Sequence, residues 1–213
     1  MAVFELLKVS KRYRRNWVFR NLEYVWEGGL LLLSGPNGQG KSTLLRLLAG
    51  LSRPTRGHVR VLGGDPWKEE GVRARLGYAG HESGLYPSLS GRENLEVFRR
   101  LQGGDPRRMQ DLAEALDVKR FWRRPLREYS AGMRKKISLI RAFLHEPELL
   151  LLDEPFAALD PESRQVLWQW IEDRLRGGTH VVLVSHIIER DIPGAHRVRL
   201  RGGKLETLSP SGA

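Results

Sequence analysis

Short uninterrupted apolar runs are the most regular feature of this chain, and they predict buried strands. The clearest runs are residues 30–33, 149–152 and 181–184. Each is bounded by polar or glycine residues and has no polar position inside it, which is typical of parallel strands covered on both faces. Further strands are predicted at residues 4–9, 22–26 and 58–62. The chain is therefore predicted to contain a central parallel sheet.

Helical spacing of apolar residues dominates the middle of the chain, from about residue 85 to residue 145. The clearest predicted helices there are residues 92–101, 106–116 and 131–145. A later helix is predicted at residues 161–176, with Asp160 as its N-cap, Pro161 at its first position and Gly177 past its end. Strands and helices alternate outside the middle section, which predicts right-handed crossovers between parallel strands.

A glycine-rich turn joins the apolar run at residues 30–33 to a segment with helical spacing. Residues 35–42 match G-x-x-x-x-G-K-[ST] at all eight positions, in the strand-to-helix setting of a phosphate-binding loop. Glycine permits backbone angles closed to other residues, so successive N–H groups can converge on phosphate oxygens at the positive end of a helix. Lys41 supplies a charge for the terminal phosphates, and the Ser42 hydroxyl is a hard oxygen ligand for magnesium. The predicted nucleotide-binding residues of the loop are Gly35, Pro36, Asn37, Gly38, Gln39, Gly40, Lys41, Ser42 and Thr43.

Two adjacent carboxylates, Asp153 and Glu154, follow the apolar run at residues 149–152. Neighbouring residues on a strand point to opposite faces, but at a strand end the chain can turn both side chains toward one crevice. We predict that Asp153 holds the magnesium shell, directly or through water, and that Glu154 polarises the attacking water. Phosphoryl transfer needs such an acidic element beside the phosphate loop, which favours this interpretation over a solvated strand end.

The composition is that of a folded chain, with 40% hydrophobic and 29% charged residues. There is no cysteine, so disulfides and thiolate metal sites are excluded. No internal repeat or linker divides the 213 residues, and we expect one domain, residues 1–213, with two lobes. The N-terminus lacks the layout of a signal peptide and no apolar run approaches 18 residues, so we expect a cytoplasmic location.

The formal net charge of +11 comes mainly from 28 arginines against 8 lysines. The basic clusters are spread over predicted helices and loops, and acidic residues separate several of them. No nucleic-acid module or aromatic platform accompanies the charge. We therefore favour a solvated or membrane-proximal face, and we expect no nucleic-acid partner.

Four segments in this order give the chain a family resemblance. GPNGQGKST at 35–43, YSAGM at 129–133, LLLLDEPFAALD at 149–160 and VSHII at 184–188 resemble the ATP-binding subunit of an ABC transporter. The resemblance implies an α/β fold of the phosphate-loop NTPase class: a RecA-like parallel sheet core, a small antiparallel β lobe and an inserted helical subdomain at about 85–145. It implies ATP and Mg²⁺ as cofactors, with hydrolysis coupled to transport. It also implies integral-membrane permease subunits as partners, and a peripheral position on the inner face of the cell membrane.

The resemblance further implies a head-to-tail dimer in which each ATP is held between one copy's phosphate loop and the other copy's signature segment. Ser130 and Gly132 match the signature residues that bind the terminal phosphate, and Ser130 is also suited to be a helix N-cap. Residues 157–160, ending in Asp160, resemble the loop through which the two sites communicate. His186 resembles the switch histidine that contacts the terminal phosphate and positions Glu154, and its place after the final predicted strand fits that role.

Three positions complete the expected site or depart from the family pattern. Tyr13 is the best match for the aromatic ring that stacks on adenine, and Trp17 is the alternative. His81 stands where the family usually has a magnesium-sensing glutamine. Because imidazole suits magnesium poorly, we expect His81 to contact ATP or its water without binding the metal. Met133 replaces a usual glutamine or glutamate, which removes a reciprocal capping partner for Ser130.

Features of the signature and sensor segments suggest a subfamily. The Gly-His pair at 80–81, the alanine in SAG and the short chain resemble CcmA, the ATPase of the haem exporter used in cytochrome c maturation. The alternative is the ATPase of a small-molecule or multidrug exporter, which shares most of these features. A soluble ABC-type ATPase acting on nucleic acid and a phosphate-loop kinase are rival classes. The first usually carries two ATPase halves, and the second should have a lid or acceptor site in place of a signature.

Overall fold

The computed structural model describes residues 1–80, 84–185, 192 and 194–208. Its elements alternate as the apolar pattern predicts. The strands are β1 Phe4–Tyr13, β2 Asn16–Trp26, β3 Leu30–Ser34, β4 Arg56–Val61, β5 Leu76–Ala79, β6 Leu149–Asp153, β7 His180–Val184, β8 His196–Arg201 and β9 Lys204–Thr207. The helices are α1 Lys41–Leu48, α2 Glu70–Arg73, α3 Gly91–Gln102, α4 Pro106–Ala115, α5 Ala131–Phe143 and α6 Pro161–Arg176, with a 3₁₀ turn at Leu126–Glu128.

The larger sheet has six strands in the order β5-β6-β7-β3-β8-β9. Its first five strands are parallel and β9 is antiparallel to β8. The strand β3 lies between β7 and β8, with Leu33 paired to Val184 on one side and Val198 on the other. All three strands predicted from uninterrupted apolar runs therefore lie inside this sheet, where both faces are covered.

A second, antiparallel sheet of three strands has the order β2-β1-β4. Its inner face shares one hydrophobic cluster with α1 and one face of the large sheet. A second cluster joins the opposite face to α3, α4, α5 and α6. These two layers position the segment between β3 and α1 beside the end of β6.

Four elements are absent from the sequence prediction: β5, β8, β9 and α2. The strand β8 alternates exposed arginines with buried Val198 and Leu200, so no apolar run marks it. Because β8 and β9 follow β7, the expectation that the run at 181–184 is the final strand is wrong. The predicted bounds of β1 and β2 are too short, because β1 continues to Tyr13 and β2 begins at Asn16. Other predicted boundaries shift by one or two residues, and α5 ends at Phe143 where the prediction extended to residue 145.

Helix capping follows the predicted signals. Asp160 caps α6 by accepting a 2.8 Å hydrogen bond from the Ser163 N–H, and Pro161 occupies the first helical position. Ser130 caps α5 in the same way, with the Met133 N–H as donor at 3.2 Å. Among the described residues no helix is long and apolar enough to cross a membrane.

Candidate nucleotide-binding site

The loop between β3 and α1 is shaped by glycines with positive φ. Gly35 has φ 141° and Gly40 has φ 99°, in regions where side chains are strained. A Cβ on Gly35 would collide with the Leu200 carbonyl of β8, and one on Gly40 would collide with the Val18 side chain of β2. Glycine at these positions therefore lets the loop pass between the large sheet and the β lobe.

Lys41 is the first residue of α1, and its side chain is turned back onto the loop. Its Nζ donates to the Gly35 carbonyl at 2.7 Å and to the Pro36 carbonyl at 3.1 Å. The ammonium thus lies inside the curve of the loop, and Lys41 as a whole is only 7% exposed. A cation in this position, at a helix N-terminus, favours the binding of phosphate oxygens.

The loop and the end of β6 line one cavity of about 560 Å³. This volume lies within the usual range for small-molecule sites. The lining residues are Val18, Asn37, Gly38, Gly40, Lys41, Ser42, Thr43, Asp153, Glu154 and Ala157. The structure therefore brings the predicted phosphate-binding and acidic residues together. Gln39 faces away, since its Oε1 accepts a 3.0 Å hydrogen bond from the Gly202 N–H in the β8–β9 turn.

Asp153 is the last residue of β6 and is only 3% exposed. Its Oδ2 has no hydrogen-bond partner within the described ranges of the chain. A buried carboxylate oxygen without a donor is costly unless a cation compensates it. The exposed Ser42 hydroxyl lines the same cavity, so the hard oxygen donors present fit a magnesium ion.

Glu154 leaves the strand in a left-handed backbone conformation, with φ 45°. Its N–H donates to the Val184 carbonyl at the end of β7, at 2.8 Å. This turn places the Glu154 side chain on the same cavity as Asp153, although the two residues are neighbours in sequence. Nonglycine residues rarely adopt such angles, and the few that do are often found at functional sites.

The signature residues lie at the start of α5, outside this cavity. A Cβ on Gly132 would approach the Ala158 carbonyl to 2.6 Å, so glycine allows α5 to pack against the loop at 157–160. At the end of that loop Asp160 pairs with the buried Lys136 of α5 at 2.8 Å. The hydrogen bond from Lys136 contributes most to lowering the pKa of the Asp160 carboxyl well below its usual range, and the hydrogen bond from Ser163 contributes less. Within one chain Ser130 and Gly132 therefore do not line the phosphate-loop cavity.

The two candidate adenine platforms lie at the β1–β2 hairpin. Tyr13 is 45% exposed, with the Lys11 Nζ 4.7 Å from its ring centre. The Trp17 ring contacts Arg12 and Arg20 at 5.3 and 4.7 Å. Their neighbour Val18 lines the cavity, but neither ring does, so both alternatives stay open. His81 and His186 lie outside the described residues.

One residue of the site escaped the sequence prediction. The Nζ of Lys135 in α5 donates to the Asp153 carbonyl at 3.0 Å. Burial lowers the pKa of Lys135 to about 8, against the opposing effect of the Asp153 and Glu154 carboxylates. Two adjacent lysines carry no sequence signal that separates their roles, so only the fold could single out Lys135.

The fold and the cavity define a phosphate-loop nucleotide-binding domain built on a mostly parallel sheet. The sequence profile of the ABC transporter family matches residues 21–157, and the chain belongs to this family. Domains of this family bind ATP with Mg²⁺ and hydrolyse it, in agreement with the predicted cofactors and with the ATPase part of the predicted activity. The predicted fold class is confirmed.

Two curated relatives illustrate the similarity. Daunorubicin resistance ATP-binding protein DrrA3 of Streptomyces coeruleorubidus is 40% identical over 169 residues, which are 77% of this chain and 54% of that protein. Nod factor export ATP-binding protein I of Paraburkholderia xenovorans is 33% identical over 99% of this chain and 72% of its own length. The chain thus spans about half of the length of the first relative and about three quarters of the length of the second.

Solved structures agree on the fold. The ATP-binding subunit of an ABC transporter superposes with a TM-score of 0.85 at 26% identity, over 97% of this chain and 90% of that chain. A dimeric cassette, MJ0796, bound to ADP and Pi has a TM-score of 0.84 at 24% identity, over 97% and 99% of the two chains. These relatives give the predicted CcmA resemblance no support, because the named curated proteins concern drug resistance and Nod factor export.

Proposed function

We propose that this chain is the ATP-hydrolysing subunit of an exporter that moves a small organic molecule through a separate membrane permease. The observation that carries the proposal is the single cavity shared by Lys41, Ser42, Asp153 and Glu154. Phosphate binding and water activation both need to occur there, because hydrolysis joins a water oxygen to the terminal phosphorus. A domain that only held nucleotide and its Mg²⁺ would have no use for a second carboxylate, Glu154, beside Asp153.

The proposed roles follow from the position of each group. Lys41 and the loop N–H groups hold the phosphates, since they surround one side of the cavity with positive charge. Ser42 and Asp153 hold Mg²⁺, which neutralises phosphate charge when bound. Glu154 orients the attacking water and accepts its proton from the opposite wall. Ser130 and Gly132 serve the site of a second copy, because within their own chain they lie away from the cavity.

The choice of export substrate class rests on the relatives. A daunorubicin resistance protein and Nod factor export proteins are 33–40% identical to this chain. One name concerns resistance to daunorubicin and the other the export of Nod factor, and neither concerns haem, which favours the small-molecule alternative over haem export. The permease would hold the substrate, and this chain would lie against it on the inner face of the membrane.

A groove between α1, α3 and α5 fits the proposed permease contact. Its volume is about 420 Å³, and its lining includes the exposed Leu51 and the partly buried Phe98. Three basic residues also line it, Arg46, Arg73 and Arg141. Apolar side chains beside positive charge suit a short helical loop of the permease that carries apolar and acidic residues.

The direct test is Glu154→Gln, which keeps the shape of the side chain and removes its basic carboxylate. We expect ATP hydrolysis to fall about 100-fold or more while affinity for an ATP analogue stays within a factor of about two. Glu206→Gln, on exposed β9, is the matched control and should hydrolyse ATP at the wild-type rate. Hydrolysis by Glu154→Gln at the control rate would remove the proposed role.

A further inference from the structure

The peptide that joins Asp153 to Glu154 is held at both of its polar ends. Its N–H, on Glu154, donates to the Val184 carbonyl of β7 at 2.8 Å. Its carbonyl, on Asp153, accepts from the Nζ of Lys135 at 3.0 Å. The two contacts lie on opposite sides of β6, because the C=O and N–H of a trans peptide point in opposite directions.

Lys135 supplies a donor to the Asp153 carbonyl beyond the point where the described pairing of β5 with β6 ends. The pairing of β5 with β6 ends at Ala79 and Leu152, one residue before Asp153. On the other side β7 continues and pairs Val184 with Asp153. Among the residues that the structure describes, none pairs as a strand with Asp153 on the side of β6 that faces β5, and the Lys135 side chain reaches this side from α5.

This peptide needs fixing because Glu154 has an unfavourable backbone conformation, with φ 45°. A left-handed conformation costs a nonglycine residue about 1–2 kcal/mol, so surrounding contacts have to maintain it. The conformation determines where the Glu154 carboxylate points in the nucleotide cavity. Rotation of the peptide would therefore move the carboxylate away from the proposed water position.

The positive charge of Lys135 also helps to keep the Glu154 carboxylate in place. The side chain is half-buried and lines a second cavity of about 370 Å³, which also borders Glu154 on the side facing α5. The ammonium group attracts the Glu154 carboxylate, and this attraction limits the orientations that the carboxylate can take. Lys136, the next residue, instead points to Asp160, so the two lysines have different partners.

We infer that Lys135 is a positioning residue for ATP hydrolysis, which fixes the Asp153–Glu154 peptide and so links the signature helix α5 to the orientation of Glu154. The inference rests on the proposed function. It makes the rate of hydrolysis, and not the binding of nucleotide, depend on Lys135. A movement of α5 on dimer closure would reach Glu154 through this contact.

The test compares Lys135→Met, which keeps most of the side-chain stem, with Lys135→Arg, which restores a cationic donor. We expect kcat for ATP hydrolysis to fall about 10- to 100-fold in Lys135→Met, with KM within a factor of about two. Lys135→Arg should recover most of the rate, because a guanidinium can donate to the same carbonyl. Lys119→Met, at a lysine that pairs with Glu114 on the surface, is the matched control.

Two readouts separate this inference from a structural effect and from failure of the proposed function. Binding of a fluorescent ATP analogue and the thermal midpoint should match the control in Lys135→Met. A kcat within a factor of about two of wild type, or a loss in kcat that Lys135→Arg does not recover, would overturn the inference. If wild-type protein and Glu154→Gln hydrolysed ATP at equal rates, the proposed function itself would fail.

Discussion

The Asp160 carboxylate accepts a hydrogen bond from the Ser163 N–H and forms an ion pair with Lys136, and its negative charge strengthens both interactions. The carboxylate caps α6 and pairs with Lys136, which is only 8% exposed. Loss of this charge would leave the Lys136 ammonium buried without its anion. Because Lys136 lies in α5 and Asp160 begins α6, this pair holds the signature helix against the loop at 157–160.

The pH dependence of stability follows from the lowered pKa of Asp160. A carboxyl with a lower pKa in the folded state stabilises it above the unfolded-state pKa of about 4, and the effect disappears as pH falls through the folded-state value. We expect Asp160→Asn, which keeps a capping oxygen, to cost about 1–2 kcal/mol at pH 7, after allowance for solvent screening. Urea unfolding from pH 7 to pH 2 measures this difference, which should shrink below about pH 4.

Asp111→Asn, at an exposed position of α4, is the control for that experiment. Its stability should follow wild type over the whole pH range. A constant penalty for Asp160→Asn at all pH values would mean that its charge does not act through Lys136.

Motif residues and supporting residues differ in how far sequence could identify them. Lys41, Asp153 and Glu154 stand at fixed places in motifs, so their common cavity was predictable. Lys135 was not, because its role depends on β5 ending before β6, which no local pattern reveals. The roles predicted for His81 and His186 stay predictions, because both residues lie outside the described part of the chain.

Among whole elements, uninterrupted apolar runs were reliable and alternating or very short strands were not. The strands β3, β6 and β7 each contain four consecutive apolar residues, because both of their faces are covered. The strand β5 has four residues, including Gly77, and β8 carries three arginines. The formation of such strands depends more on pairing with neighbouring strands than on their own residues, so their sequences do not predict them.

The phosphate loop offers a test of the sheet contacts that shape it. Gly35→Ala should cost about 2–4 kcal/mol, because it combines a strained φ with a collision against the rigid Leu200 carbonyl. Gly38 also has positive φ, 78°, but a Cβ there meets nothing within 4 Å. Gly38→Ala should therefore cost only about 1–2 kcal/mol. Equal free energies of unfolding for the two variants, measured in urea, would contradict this account of the loop.

At the scale of the whole molecule, a substitution in the proposed permease groove should impair binding to the permease without impairing ATP hydrolysis. Leu51→Glu places an anion in the lining of the groove and should abolish association with the permease that this chain is proposed to serve. Leu101→Glu, at a leucine that is 72% exposed and outside the groove, is the matched control. The isolated Leu51→Glu chain should hydrolyse ATP normally. Co-purification of Leu51→Glu with the permease at the Leu101→Glu level would exclude this groove as the contact.

The central proposal is that one chain contains only half of each working ATP site. The phosphate loop, Asp153 and Glu154 line one cavity, while Ser130 and Gly132 lie away from it. A second copy has to bring its signature segment over the bound nucleotide. The dimer should therefore form with ATP and persist when hydrolysis is blocked.

The most direct measurement is the mass of Glu154→Gln in solution, by light scattering, with and without Mg²⁺ and ATP. We predict that the mass doubles from 24.3 kDa when ATP is added, and that Ser130→Ala in the same background prevents the change. A Glu154→Gln chain that binds ATP to saturation and stays at 24.3 kDa would contradict the composite site.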